Sequence, residues 1–212
     1  MFPTHNLILD FESLGTDESK SVILDCSAIV FDSTRFTTNP YTFNELLGET
    51  VRWKLEAKHQ IKEYKWEVQQ DALRFWNTVD PKALKIMAPS KEDLTVTQFN
   101  DSFLQWLNTK PLIDRWWSRG NTFDIPVLWR LMKVSDQLHR VNNLLPFWKV
   151  RDIRTFIESK LDFEVKTDFT PTTEKFWKEN FIKHSSQHDV VADVLRIQAV
   201  VRAESELEYT GE

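Results

Sequence analysis

Cysteine and glycine are both scarce in this sequence. Of 212 residues, one is cysteine, Cys26, and four are glycine. A single cysteine excludes an internal disulfide and is typical of proteins that fold in a reducing compartment. Because so few glycines and the lack of a low-complexity tract leave little room for a flexible linker, we expect one domain over residues 1–204. Residues 205–212 form an acidic tail that we expect to fray.

Long hydrophobic runs are absent as well. No segment is apolar over the length of a membrane span, and the first residues do not combine basic side chains with an apolar run as a signal peptide does. The 41% hydrophobic and 28% charged residues are ordinary for a soluble globular protein. We therefore expect a cytoplasmic protein that makes no contact with membranes.

The chain also lacks an excess of positive charge. Its formal net charge of −5 argues weakly against a protein that coats nucleic acid non-specifically. It does not exclude an enzyme, because metal-binding carboxylates are themselves acidic and a basic rim can be local. Residues 52–66 interleave basic side chains with Trp53, Tyr64 and Trp66. That pattern is as consistent with a solvated helix or loop as with nucleic-acid binding.

A pair of acids stands in the first apolar segment of the chain. Residues 6–11 read as a buried strand, and Asp10 and Glu12 interrupt it two positions apart. On a strand, that spacing places both carboxylates on one face, where they repel each other and resist burial. A cation relieves this, and oxygen ligands suit Mg²⁺ or Mn²⁺. A surface strand with solvated acids is an equally good interpretation of this short pattern alone.

The remaining pattern predicts an α/β domain that opens with an antiparallel meander. After the first strand, the pattern predicts strands at 21–31 and, with an irregular middle, at 41–55, and then helices at 68–79, 81–88 and 95–107. A strand at 113–119, a helix from 121, a polar link at 134–143, a strand at 144–150 and a helix from 151 follow. The chain continues with an irregular stretch at 161–171 and a helical turn at 175–182, and residues 184–193 lead into a final helix.

Three further residues complete a possible acidic site. Asp124 follows the strand at 113–119, where a lone aspartate is more often a helix cap. His188 and Asp193 precede and enter the final helix. On a regular helix, five residues turn two side chains about 140° apart. The two residues therefore meet only if His188 lies in the loop or first turn before the helix is established.

The order and spacing of these acidic residues and the histidine along the chain resemble those of the DnaQ-like exonucleases of the DEDDh type. The matching residues are Asp10-x-Glu12, Asp124 and His188-x-x-x-x-Asp193. Within the family, the T-even phage branch is the most similar, through the Arg119-Gly120-x-x-Phe123-Asp124 segment, residues 151–155 and the His188-Asp189 pair. The chain departs from the common pattern at Ser13-Leu14, where two threonines are frequent, and at Arg119-Gly120, where a His-Asn pair is frequent.

The resemblance implies a ribonuclease-H-like fold, with a central mixed five-stranded sheet flanked by helices. It implies a 3′-to-5′ exonuclease that releases nucleoside 5′-monophosphates from single-stranded DNA or RNA with a free 3′ end. Asp10, Glu12, Asp124 and Asp193 would bind two Mg²⁺ or Mn²⁺ ions, and His188 would act as the general base. A phage-encoded member would act in the cytoplasm of the host cell.

Substrate contacts are less well determined by the sequence. Leu14 and Phe123 would wedge and stack the terminal bases, although Phe123 fits a core residue equally well. Arg119, Arg151 and Arg154 would hold phosphates. Of the nine Trp residues, most belong to a core, and Trp76 is a candidate exposed platform that fits the core better. Ser13 completes the candidate substrate-binding set.

Two other functions use the same residues. A catalytically inactive relative would bind 3′ ends, and a ribonuclease-H-type endonuclease would cut internally. The complete set of five catalytic residues argues against the first, and the His-x4-Asp arrangement favours end-directed hydrolysis over the second by analogy. No motif in the sequence decides between DNA and RNA as the substrate, although DNA is slightly favoured here. The sequence also does not decide between a monomer and a homodimer.

Overall fold

A mixed five-stranded sheet lies at the centre of the protein. The structure, a computed structural model, describes residues 4–161 and 166–209, with side chains to residue 205. The strands are β1 His5–Ser13, β2 Ile23–Asp32, β3 Val51–Lys54, β4 Arg115–Ser118 and β5 Val150–Asp152. Their order across the sheet is β3-β2-β1-β4-β5. β1 and β2 pair antiparallel, as do β2 and β3, whereas β4 runs parallel to both β1 and β5. The predicted mixed sheet and opening meander are confirmed.

Helices cover both faces of this sheet. They are α1 Arg35–Thr38, α2 Phe43–Glu49, α3 Ala57–Tyr64, α4 Gln70–Trp76, α5 Pro81–Met87, α6 Val96–Asn108, α7 Asp124–Val134, α8 Leu138–Leu144, α9 Ile153–Lys160, α10 Glu174–Asn180 and α11 Ser186–Tyr209, with a short 3-10 helix at Phe147–Lys149. Among the described residues, none of these helices has the length and apolarity needed to cross a membrane. Helix α11 runs through the first part of the predicted acidic tail, and residues 210–212 lie outside the described chain.

The alternation of β1 decides which face each of its side chains meets. Leu7, Leu9 and Phe11 pack into the core formed with α6 and α7, whereas Ile8 packs into the core formed with α9 and α11. Because side chains alternate along a strand, Asp10 and Glu12 lie on the same face as Ile8, toward α11. The strand pattern therefore directs both acids toward the last helix of the chain.

Three predicted boundaries were wrong. Residues 43–49 form helix α2 instead of the start of a strand, because the Thr42 side chain and Glu45 make a reciprocal capping box. The predicted polar link contains helix α8. The strand predicted at residues 144–150 is displaced to Val150–Asp152, and part of the predicted segment forms the 3-10 helix. In each case, capping or tertiary pairing overrides a weak apolar pattern.

Candidate active site

The floor of the candidate site is formed by the carboxyl end of β1. Burial, followed by the charge of Asp124, raises the pKa of Asp10 well above its ordinary value. Burial, followed by the charge of Asp189, does the same to the pKa of Glu12. Both groups therefore lie in a region where negative charge is crowded and poorly solvated.

Asp124 reaches the same floor from the first residue of α7. Its Oδ1 accepts a hydrogen bond from the Phe11 backbone N–H, between Asp10 and Glu12, at 3.3 Å. The side chain is buried, and burial raises its pKa to about 7. The segment after β4 turns at Gly120, whose carbonyl accepts from the Asp124 backbone N–H. This turn starts the helix so that its first carboxylate lies against β1.

A cleft of about 660 Å³ opens above these acids. Of the five catalytic residues predicted from the sequence, four line it, namely Asp10, Glu12, Asp124 and Asp193. Of the predicted substrate-binding residues, Arg119, Phe123 and Arg154 line it. The structure therefore brings together the four predicted metal ligands, from β1, α7 and α11, with three of their predicted neighbours.

Two arginines hold Asp193 on α11. Asp193 Oδ1 accepts a hydrogen bond from Arg119 Nε at 2.8 Å and one from Arg196 at 2.8 Å. Arg119 also donates to the Thr167 carbonyl and Arg196 to the Phe169 carbonyl. The paired arginines connect the segment before α10 to the acid of α11. Arg119, which the sequence predicts to hold phosphate, thus pairs with Asp193, and no sequence pattern indicates the role of Arg196.

A second His-x4-Asp pair lies in the cleft, and it was missed in the sequence. His184 and Asp189 both line the cleft, and each has a ligand atom within 4.8 Å of the other and of a Glu12 oxygen. Burial, followed by the charge of Asp193, raises the pKa of Asp189 to about 7. The signal was present, because residues 184 and 189 have the same spacing as His188 and Asp193. Helix α11 begins at Ser186, so the pair of His184 and Asp189 spans the helix start.

His188 lies in the wall of the site rather than among the residues that line the cleft. Its Nδ1 accepts a hydrogen bond from the Ile182 backbone N–H at 3.1 Å, and its ring contacts Phe43 and Phe181. Burial lowers the pKa of His188, which favours the neutral ring. Because a backbone amide can only donate, the neutral ring in this arrangement carries its proton on Nε2.

The cleft fits divalent cations that prefer oxygen ligands. Burial, and after it the charge of neighbouring carboxylates, raises the pKa values of Asp10, Glu12, Asp124 and Asp189. Bound cations would supply the counter-charge that this arrangement lacks. The carboxylate donor set matches the preference of Mg²⁺ and Mn²⁺. The site therefore has the chemistry of a divalent-metal centre.

The remaining predicted substrate-binding residues lie outside the cleft lining. Trp76 is only 6% exposed and donates from Nε1 to the Ser13 carbonyl at 2.9 Å, so the prediction of an exposed platform was wrong. Leu14 packs against the same small core as Trp76. Arg151 lies on β5 and donates to the carbonyls of Trp148 and Val150.

An aromatic wall of the cleft was also missed in the sequence. Trp177 on α10 and Phe181 stack with ring centroids 4.0 Å apart, and both line the cleft. Phe43 contacts Trp177 at 6.3 Å and His188 at 5.5 Å. The sequence pattern of residues 175–182 is that of an ordinary amphipathic turn, so only the tertiary structure places these rings at the site.

Known proteins share this fold. Exonuclease I of E. coli, in a structure of its complex with single-stranded DNA, matches 99% of the chain with a TM-score of 0.55 and 17% identity. The chain spans only 42% of that protein. The nuclease domain of 3′hExo, a DEDDh family member solved with rAMP, matches 96% of the chain and 94% of its own length, with a TM-score of 0.56 and 12% identity. These likenesses show the ribonuclease-H-like fold of DEDDh exonucleases.

Sequence comparison gives the family. The exodeoxyribonuclease of Enterobacteria phage T4 is 32% identical in an alignment that covers 93% of this chain and 89% of the phage protein. The resemblance to the T-even phage branch is thereby confirmed. The family profile described as the 3′-5′ exoribonuclease Rv2179c-like domain matches residues 5–200. The chain therefore belongs to the Rv2179c-like 3′-5′ exoribonuclease domain family.

Proposed function

We propose that this 3′-5′ exonuclease uses two bound divalent ions to remove nucleoside 5′-monophosphates from the free 3′ end of single-stranded nucleic acid, with DNA slightly preferred to RNA. The observation that supports it most strongly is the convergence of Asp10, Glu12, Asp124 and Asp193 on one cleft. These carboxylates come from three separate elements, and their burial would be unfavourable without a cationic partner.

The four carboxylates would hold Mg²⁺ or Mn²⁺. Bound ions would supply Lewis acidity toward the phosphate oxygens and the attacking water. Water would add to the terminal phosphorus, the bond from phosphorus to the 3′ oxygen of the preceding nucleotide would break, and that oxygen would leave. Arg154 and Phe123, at the cleft, would position the phosphate and the terminal base.

His188 is the proposed general base. Burial lowers its pKa, so at neutral pH the ring is available to accept a proton. Its Nδ1 is engaged by the Ile182 N–H, so base function through that nitrogen requires this hydrogen bond to open. His184, which lines the cleft, is the competing histidine.

The preference for DNA rests on the 32% identical phage exodeoxyribonuclease. The second candidate, hydrolysis of RNA 3′ ends, is favoured by the description of the family as exoribonucleases. The two substrates differ at the 2′-hydroxyl, which a few contacts at the cleft would distinguish.

The test is a gel assay with 5′-labelled single-stranded DNA and RNA of the same sequence. We expect progressive shortening of the DNA, slower shortening of the RNA, and resistance of strands with a 3′-phosphate. Chelation should abolish hydrolysis and Mg²⁺ or Mn²⁺ should restore it, while Asp10→Ala should remove most of the rate without unfolding the chain. Internal fragments would instead indicate an endonuclease, and binding without cleavage would indicate an inactive 3′-end-binding protein.

A further inference from the structure

An exposed aromatic patch lies beside β5, at an edge of the sheet. Leu112, Phe147 and Trp148 are 74%, 66% and 65% exposed, which is unusual for side chains of this size. The rings of Phe147 and Trp148 contact each other edge to face at 5.2 Å. Lys149 Nζ donates to the Ile113 carbonyl at 2.7 Å, which holds the two segments together. We call Leu112, Phe147 and Trp148, together with Arg115 and Arg151, the β5 patch.

Two arginines of the β5 patch lie close enough to affect each other. Burial, followed by the charge of Arg115, lowers the pKa of Arg151. Arg151 donates to the carbonyls of Trp148 and Val150, and Arg115 donates to the Asp114 carbonyl. Within the described part of the chain, neither guanidinium forms an ion pair with a carboxylate. Two neighbouring cations of this kind make a site suited to an anion.

The β5 patch is connected to the cleft through the end of β5. Asp152 follows Arg151 and accepts a hydrogen bond from the Asn121 N–H at 3.3 Å, next to Gly120 and Thr122 in the cleft lining. Arg154, three residues beyond Arg151, lines the cleft itself. Arginines therefore occur both at the cleft and on the neighbouring patch.

We propose that the β5 patch binds the single strand upstream of its 3′ end, with Arg115 and Arg151 contacting phosphates and Trp148 and Phe147 stacking on bases. Exposed rings beside arginines are the combination that holds single-stranded nucleic acid without sequence preference. This proposal rests on the proposed exonuclease function, because it assigns the cleft to the 3′ end of the same strand. It gives Arg151 the phosphate role expected from the sequence, at a place outside the cleft.

A nucleic-acid strand fits the β5 patch better than the other possible occupants do. A second copy of the chain would bring a second pair of arginines to a two-fold interface, where like charges disfavour association. An acidic peptide would match the arginines, but it would not account for the connection to the cleft through Asp152 and Arg154. Both alternatives are outcomes of the test.

The test compares an oligonucleotide that is too short to reach the β5 patch from the cleft with one that is long enough to reach it. Trp148→Ala and Arg151→Ala are made in the full chain, with Arg202→Ala as the charge-matched control. Arg202 is exposed and lies about 20 Å along α11 from Asp189. Binding of a trinucleotide and of a 20-mer of single-stranded DNA is measured by fluorescence anisotropy in chelator, and hydrolysis of both is measured in Mg²⁺.

We expect Trp148→Ala to weaken binding of the 20-mer about 5- to 150-fold, the range of one aromatic–base stack, and to leave the trinucleotide within about twofold. Arg151→Ala should weaken 20-mer binding and reduce its salt dependence by about one phosphate contact. Arg202→Ala should match the unsubstituted protein.

Equal effects on both lengths, or no effect on the 20-mer, would overturn the proposal. Loss of self-association without loss of 20-mer affinity would identify a second copy of the chain as the occupant. Tight binding of an acidic peptide with unchanged 20-mer affinity would identify a peptide as the occupant. Either result would overturn the proposal. Selective loss of 20-mer binding would support the proposed role of the β5 patch even if neither oligonucleotide is hydrolysed. The absence of hydrolysis would contradict only the proposed exonuclease function.

Discussion

Oδ1 of Asp193 accepts hydrogen bonds from two buried or half-buried arginines, Arg119 and Arg196. Arg196 is the more enclosed of the two, at 6% exposure, and its guanidinium also lies near the Trp177 ring. The Arg119 side chain is 18% exposed. These contacts make Asp193 the anchoring point between α11 and the segment that precedes α10.

Replacing Arg196 should destabilise the protein more than replacing Arg119. Removing one member of a buried ion pair leaves a buried charge without its partner, a loss of about 3–5 kcal/mol for an isolated pair. Because Asp193 keeps one arginine, we expect Arg196→Gln to lower the free energy of unfolding by about 2 kcal/mol, less than for an isolated pair. Urea unfolding in chelator measures it, with Arg119→Gln as the matched variant. A larger loss in Arg119→Gln would contradict the assignment of Arg196 as the main anchor.

A pair of variants distinguishes His188, in the wall of the site, from His184, which lines the cleft. His188→Ala should lower kcat by about 10²–10⁴, the usual effect of removing a positioned general base. Its affinity for Mn²⁺ should stay close to that of the unsubstituted protein, because His188 is proposed as a base and not as a ligand. Single-turnover kinetics and Mn²⁺ titration provide both measurements.

His184→Ala is the matched control for that experiment. We expect it to reduce kcat less than His188→Ala does. If His184→Ala gives the larger loss, the base is His184, which lines the cleft. The pair of His184 and Asp189 would then have the role assigned to His188 and Asp193.

At the scale of secondary-structure elements, α10 supplies one wall of the cleft and β1 supplies its floor. Trp177 and Phe181 form the exposed edge of a ring cluster that continues through Phe43 to His188. Phe123, which immediately precedes α7, also lines the cleft. A base that enters the cleft would therefore meet aromatic side chains from two segments that are far apart in the sequence.

Removing the α10 ring should weaken substrate binding. Trp177→Ala should raise KM for single-stranded DNA about 5- to 150-fold, because one aromatic–base stack contributes about 1–3 kcal/mol. Trp177→Phe keeps a ring and should stay near the unsubstituted protein. Steady-state kinetics measure KM, and circular dichroism checks that each variant is folded. An unchanged KM in Trp177→Ala would show that the α10 wall serves only to pack the helix.

For the molecule as a whole, the crowded acids should make stability depend on pH in an unusual direction. Burial and mutual repulsion raise the pKa of Asp124 and Asp189 from 3.8 to about 7, and they also raise the pKa of Asp10 and Glu12 well above their ordinary values. Between about pH 4 and these raised values, the folded protein binds more protons than the unfolded chain does, so its free energy of unfolding falls as pH rises. The lowered pKa values of His184 and His188 act in the opposite sense below about pH 6.5, but fewer groups contribute.

The Tm measured in chelator should therefore be lower at pH 8 than at pH 5.5, by about 5 °C or more. Saturating Mg²⁺ or Mn²⁺ should raise the Tm at pH 8, because a cation that binds only the folded state stabilises it. Asp124→Asn removes one of the titrating acids and should flatten the pH dependence. Differential scanning calorimetry across this range measures each effect; a Tm that rises steadily from pH 5.5 to 8 in chelator would contradict the prediction.

The sequence alone determined the elements that carry the acids. The two-residue spacing of Asp10 and Glu12 on a predicted strand placed both carboxylates on one face, and the strand-turn-helix pattern placed Asp124 at a helix start. Such local patterns are readable because backbone geometry repeats every two or 3.6 residues. The resemblance to the DnaQ-like exonucleases supplied the order in which the acids belong together.

Only the tertiary structure decided what surrounds those acids. Residues 184–193 contain two overlapping His-x4-Asp pairs, and the start of α11 at Ser186 determines which side chains reach the cleft. Trp76 and Trp177 have the same residue type, yet one is buried against Ser13 and the other lines the cleft. The physical reason is that exposure and charge pairing depend on contacts between distant segments, which no local period of the sequence encodes.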